Sequence, residues 1–223
     1  MRHVVDARGT SVELPDRVGR VVSLVPSLTE WLVVAGVGER LVGVTDWCLE
    51  PADALAGLAV FVTMPTTVAG AVAELRDLAA AVGDLPGAAA LDAELVAAVG
   101  DAYRRRPARR VRYACAVWRD PWMWVGRRTY AADLLGLAGG EPVLDDPATR
   151  YPRLDPEALA ALGPKLVLLP SEPYEFTEAD ADELAAGFAG SRVELVDGRA
   201  LTWYGPRIPA ALASFRELLG GAA

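Results

Sequence analysis

Residues 20–51, RVVSLVPSLTEWLVVAGVGERLVGVTDWCLEP, decide the fold. Arg20–Val25 is a β-branched apolar run and reads as a buried strand. Pro26-Ser27 ends it. Ser27 is a good N-cap, and Glu30 stands where a capping box wants its acid. The helix Leu28–Ala35 that follows stops at Gly36-Val37-Gly38. Leu41–Thr45 is a second strand, and Asp46-Trp47-Cys48 is its exit loop. This is a βαβ unit with a right-handed crossover. Gly36, Gly38 and Gly43 do not make a dinucleotide loop, because the third glycine is misplaced and the stretch precedes a strand.

The same alternation extends outward. Residues 3–14 alternate around Ala7-Arg8-Gly9-Thr10, which predicts a small hairpin. Leu58–Thr63 reads as a third short strand. Thr66 or Thr67 caps a helix running to Val82, and a second helix runs from Ala88 to Arg106 and is stopped by Pro107. At 1.5 Å per residue that helix is roughly 30 Å long, enough for a rigid strut. In the second half, strands are expected at Val111–Val117, Leu166–Leu169 and Val193–Val196. Helices are expected at Thr129–Leu137, Pro156–Ala161, Thr177–Phe188 and 207–219. The order predicts an α/β chain of two small parallel-sheet lobes joined by a long helix. The lobes are expected at 1–86 and 108–223, with the connecting helix at 87–107.

Composition narrows the function. The formal net charge of -8 disfavours a general nucleic-acid binder, which needs a basic face. The basic cluster Arg104, Arg105, Arg106, Arg109, Arg110 and Arg112 reads as the solvated end of a helix, with an anion or partner site as the alternative. The two cysteines, Cys48 and Cys115, form neither a disulfide framework nor a zinc pattern. His3 is the only histidine, which argues against Ser-His and Cys-His catalysis and against an intrinsic metal site. No catalytic residue and no protein-held metal are expected. No apolar stretch is long enough to span a membrane, and the N-terminus lacks the pattern of a signal peptide. The chain as given is expected to be cytoplasmic, or periplasmic or otherwise extracytoplasmic if a leader has been removed.

The aromatic residues point to the site. Trp47, Trp118, Trp122, Trp124 and Trp203, with Tyr174 and Tyr204, sit at or just after strand-like runs. Ligands of open α/β sheets bind beyond the carboxyl ends of the strands, so these rings suggest a flat-walled pocket for a large, partly apolar ligand. In Trp118–Gly126, WRDPWMWVG, a chain that turns back as a short strand would put Trp122 and Trp124 on one face. Arg119 would then reach an acidic group on a ligand, or pair with Asp120 or a loop acid.

Together these segments resemble the class III periplasmic-binding-protein superfamily, in particular its cobalamin-binding branch and the related helical backbone metal receptors. Residues 20–51 resemble its opening. VWRDPWMWVGRRTYAADLLGLAGGEPVL, RYPRLDPEALAALGPKLVLLPSEPYEF and VDGRALTWYGPRI continue the match in order. The resemblance implies two α/β lobes on one long helix, with a cobalamin, haem or iron–siderophore ligand held between them. It places Pro26 and Trp47 on the N-terminal side of that ligand and Trp118, Trp122, Tyr151 and Trp203 on the C-terminal side. Arg119, Trp124, Tyr174 and Tyr204 complete the expected ligand-binding set. Glu157 matches the glutamate that pairs with arginines of an ABC permease, against a plain reading as a helix-start acid.

The chain departs from the family between Asp53 and Leu58, where a further strand–helix–strand unit is expected and Ala54-Leu55-Ala56-Gly57 stands instead. The N-terminal lobe is therefore expected to be shortened. Its sheet edge would offer a surface for a second copy, so a homodimer is among the expected partners. The leading expectation is a non-enzymatic binding protein for a corrinoid or other metal chelate, linked to ABC-type uptake. Two alternatives remain open at this level: a cytoplasmic enzyme or chaperone handling such a ligand, and an interaction module that no longer binds one.

Overall fold

The structure, a computed structural model, describes residues 1–44, 61–83 and 85–221. By internal contacts the chain divides into Met1–Val99 with Trp203–Ile208, and Gly100–Thr202 with Pro209–Ala223.

The first unit opens on the hairpin β1 (Arg2–Val5) and β2 (Ser11–Leu14), paired antiparallel. The buried Asp6 carboxylate accepts from the backbone N–H of Arg8 and of Thr10, both at 2.9 Å, and so holds the turn. Val12 and Leu14 on the inner face pack against Ala81. The βαβ unit follows as β3 (Val21–Ser23), α1 (Pro26–Val34) and β4 (Leu41–Val44), with β3 and β4 parallel.

The helix start differs from the sequence reading. Val25 is the N-cap, and no side chain caps the helix. Pro26 at the first helical position has its φ preset and no N–H needing a partner, so the helix begins before Ser27. Ser27 is buried inside the first turn, and Glu30 is drawn away to an ion pair with Arg207 at 2.9 Å.

α2 (Val68–Val82) starts as expected, with the Thr67 hydroxyl accepting from Gly70 N–H at 2.9 Å. It ends at Gly83, whose φ of 68° suits a residue without Cβ. α3 (Ala88–Arg104) buries Leu91, Leu95, Val99 and Ala102 along one stripe, and the division between units falls within it. Of the third strand expected over Leu58–Thr63, only 61–63 are described, and they carry no strand. Residues 53–58, where the lobe was expected to be shortened, lie outside the described residues, as does Trp47.

The second unit is built on β5 (Val111–Trp118), β6 (Met123–Trp124), β7 (Gly140–Pro142), β8 (Leu166–Pro170) and β9 (Arg192–Val196). β8 lies between β5 and β9, and all three are parallel. On its other side β5 takes β7 in parallel along its first residues and β6 antiparallel at its end. Every residue of β8 is buried, as a central parallel strand requires. The helices are α4 (Tyr130–Ala138), α5 (Pro156–Ala160), α6 (Glu178–Gly187), α7 (Gly198–Thr202) and α8 (Ile208–Gly220). α4 is capped by Thr129 and closed by Gly139 at φ 114°. Thr177 and Asp180 form a full capping box on α6. β7 and α7 had no place in the sequence reading. At three and five residues they are too short to leave a periodicity.

Candidate functional site

In the second unit, β5 runs out at Trp118 and the chain turns back through Asp120, at φ 59°, into β6. An acidic side chain of this length tolerates the left-handed region better than most. The reversal sets Trp122 on Trp124 with ring centroids 5.4 Å apart and planes 12° from parallel. Trp122 also stacks on Phe176, at 5.7 Å and 13°. Phe176 meets Tyr174 at 4.7 Å, and Tyr174 meets Trp118 edge-on at 5.4 Å. The result is one continuous ladder of five rings, supplied by the β5–β6 turn and the loop after β8 (residues 171–177).

The ladder has a dry end and a wet end. Trp124, expected on the ligand face, is fully buried, and its Nε1 donates to the Leu154 carbonyl at 2.8 Å. It therefore backs the wall and presents no face to a ligand. Phe176 is also buried. Trp122 and Tyr174 are half-buried, and Trp118 is 42% exposed. Phe176 was not foreseen. Its signal was the Tyr174-x-Phe176 spacing, which puts both rings on one side of an extended loop.

Arg119 is engaged within the protein. Its guanidinium lies 5.6 Å from the Trp122 ring centroid, donates to Glu183 at 2.8 Å, and forms a hydrogen-bonded ion pair with Asp180. Hydrogen bonds to Glu183 and then Asp180 hold its pKa above the usual arginine value. For Asp180, burial opposes ionisation. Hydrogen bonds from the Thr177 hydroxyl and amide and from Arg119 outweigh it, and the pKa falls below its ordinary 3.8. The partners are acids of α6, and neither Asp120 nor a loop acid is among them. Tyr151 is exposed, and among the described residues no ring contact joins it to the ladder. Glu157 stands exposed in the first turn of α5.

The remaining expected residues belong to the first unit. Pro26 is exposed at the start of α1. Trp203 and Tyr204 were read as the exit of the last strand and, for Trp203, as part of the C-terminal side. They follow α7 and group by contact with the first unit. The Tyr204 hydroxyl shares a hydrogen bond with that of Thr63 at 2.7 Å, and burial pushes its pKa up. Arg207 pairs with Glu30 through two bonds, at 2.9 and 3.0 Å, and its guanidinium lies 5.1 Å from the Trp203 ring centroid. Gly205, at φ 120°, lies against the buried Trp31 ring. Each unit thus presents a tryptophan beside an arginine that is neutralised by acids of its own unit.

The ladder's rings gather around the carboxyl ends of β5 and β8, where open α/β sheets hold ligands. The fold is that of the class III periplasmic binding proteins. The periplasmic vitamin B12 binding protein BtuF of Vibrio cholerae matches with a TM-score of 0.75 and 15% identity, over 92% of this chain and 97% of that one. The periplasmic heme-binding protein RhuT of Roseiflexus sp. RS-1, in apo form, matches at 0.76 and 22%, over 91% and 98%. The periplasmic heme binding protein HutB of Vibrio cholerae matches at 0.73 and 18%, over 90% and 98%. A scan of family models and a search of curated proteins each found no match.

Proposed function

We propose that this chain is a non-enzymatic binding protein for a flat metal chelate of the corrinoid or porphyrin kind. The observation that carries the reading is the ring ladder, whose inner members are locked in the core while Trp118, Tyr174 and Trp122 remain accessible. Stacked and edge-on rings suit the face of a macrocycle, because both surfaces are broad and apolar. The fold neighbours that bind vitamin B12 and heme support the class of ligand. The metal would come inside the ligand, since the lone His3 sits on an exposed hairpin strand.

Arg119 gives the wall its chemical character. Its charge is taken up by Asp180 and Glu183, so it contributes to holding Trp122 flat more than to meeting a ligand carboxylate. That favours a ligand whose contacting face is uncharged. Uptake coupled to an ABC permease, with Glu157 at the contact, and a place outside the cytoplasm belong to the same reading. A Listeria monocytogenes ABC transporter substrate-binding protein is among the fold neighbours.

The test is tryptophan fluorescence during titration with cyanocobalamin, cobinamide and haemin, corrected for inner-filter absorbance and run beside free tryptophan. Saturable quenching by one of them at micromolar concentration is expected, and Trp118→Ala should weaken it. Quenching no greater than that of free tryptophan for all three would overturn the macrocycle reading. Weight would then move to siderophore chelates or to a module that no longer binds.

A further inference from the structure

The arginine cluster at residues 104–112 does not form one surface. Arg104 and Arg105 pair with Asp101 at the end of α3, as a solvated helix end should. Arg106 and Arg110 instead join Arg127 around a cavity of about 200 Å³ in the second unit, bordered also by Asp133, Gly136 and Glu141. This volume is below the roughly 300 Å³ at which pockets for drug-sized ligands begin, so the space suits a small ion or a small polar group.

Capping accounts for only part of the arginine chemistry. Arg106 Nε and Arg110 Nη2 donate to the same carbonyl, that of Gly136 near the end of α4, at 3.1 and 2.9 Å. Arg110 also donates to the Gly140 carbonyl. Its Nε, however, is buried and has no partner among the described residues. Tyr113 packs its ring against Gly140, and its fully buried hydroxyl is likewise without a partner among those residues. A buried donor left unmet is costly, and Arg110, whose Nε is one, lines the cavity.

The electrostatics point the same way. Burial lowers the pKa of Arg110, and the nearby charges of Arg106 and Arg127 lower it further. Arg127 spends part of its charge on Asp145 at 3.0 Å, where both groups are well exposed and the pair is weak. Three arginines face Asp133 and Glu141 around the cavity, and with Asp145 on Arg127 the charges balance, so an anion there would be held by guanidinium hydrogen bonds and not by excess charge. Guanidinium forks match tetrahedral oxyanions in shape, and a bound oxyanion would relieve the crowding of like charges.

We propose that this cavity is a phosphate-group site, held by Arg106, Arg110 and Arg127, that takes inorganic phosphate or a small phosphate monoester. It is distinct from the aromatic wall. Its residues flank the first residues of β5, and Trp118 is the last residue of that eight-residue strand, roughly 23 Å away along it. The inference does not rest on the chelate reading.

The experiment is isothermal titration of the full chain with inorganic phosphate and with glycerophosphate, at constant ionic strength against a chloride reference. Arg106→Gln and Arg127→Gln run beside it, both at exposed side chains and both checked for an unchanged melting temperature. Arg110 is left intact because it is part-buried and donates to both the Gly136 and the Gly140 carbonyls. Saturable one-to-one binding is expected, weakened about tenfold by either substitution, the effect of losing one charge-assisted hydrogen bond. Equal binding of the two probes assigns a monoester-tolerant site, and binding of phosphate alone assigns the free ion. No saturable heat from either probe, or binding that survives both substitutions, would overturn the proposal.

Discussion

Asp180 concentrates three jobs in one carboxylate. It closes the capping box of α6 with Thr177, anchors Arg119, and through Arg119 steadies Trp122. Its side chain is only 9% exposed, so removing it leaves Arg119 partly buried with one partner fewer. Asp180→Ala should cost about 2 kcal/mol of stability, the sum of a lost cap and a lost charge-assisted hydrogen bond, measured by urea denaturation. The pH dependence follows from the direction of the shift. The folded-state pKa lies below the ordinary value, so the stabilisation is fully present above 3.8 and fades as pH falls through the depressed folded value. The gap between wild type and Asp180→Ala should therefore be wide at neutral pH and close in strong acid. A gap that does not change with pH would mean the carboxylate acts without its charge. Gly198 makes a second, purely steric case. A Cβ there would meet Glu172 N at 2.5 Å and Glu172 O at 2.8 Å, both backbone atoms that cannot swing aside. Gly198→Ala should destabilise by about 1–3 kcal/mol in the same assay, where Gly187→Ala, with open space around it, should not destabilise the chain.

The β5–β6 turn shows what pattern reading can and cannot reach. The crowding of three tryptophans was legible, and so was the shared face of Trp122 and Trp124 once the chain reverses. Which ring is dry and which is wet was not legible, because a two-residue strand has no periodicity and burial is decided by what packs on it. Trp124 is sealed beneath Leu159, Phe176 and the Leu154 carbonyl, whereas Trp118 stands at the ladder's open end. Trp124→Ala should therefore cost about 3–5 kcal/mol. Trp118→Ala should cost less than about 1 kcal/mol of stability, its effect falling on ligand quenching instead. Chemical denaturation and fluorescence titration on the same two variants separate these outcomes. Equal stability losses would refute the division of the ladder into support and contact. The α1 start carries a related lesson. Ser27 and Glu30 had the spacing of a capping box, but Pro26 started the helix two residues earlier and Arg207, far along the chain, claimed the acid. Local chemistry gives way to a remote partner that no local pattern reveals. By contrast, Thr67, one of the two caps offered for its helix, does cap it, while Thr129 and Thr177, read as the first helical residues, stand one step outside as caps.

The two units differ most in how their parallel strands are covered, and this should govern how the molecule opens. β8 has neighbours on both edges and is buried along its length, with Val167 and Leu169 packed among Trp124, Phe176 and Leu184. β3 and β4 form a two-stranded sheet among the described residues, with Val22 59% and Val42 50% exposed. A parallel pair is normally covered on both faces, and two strands alone are marginal in water. Opening the β3–β4 pair exposes little new apolar surface, because much of it is already wet. Opening β5, β8 and β9 would expose a continuous core. Backbone amides of Leu166–Leu169 should thus exchange with solvent only through global unfolding, while those of Val22, Ser23 and Leu41–Val44 exchange through a local opening of smaller free energy. Native-state hydrogen exchange across a denaturant series would show this as two families of amides with different denaturant slopes. Indistinguishable slopes and protection in the two sheets would show that the chain opens as one cooperative unit, and that the exposed valines of β3 and β4 do not mark a weaker sheet.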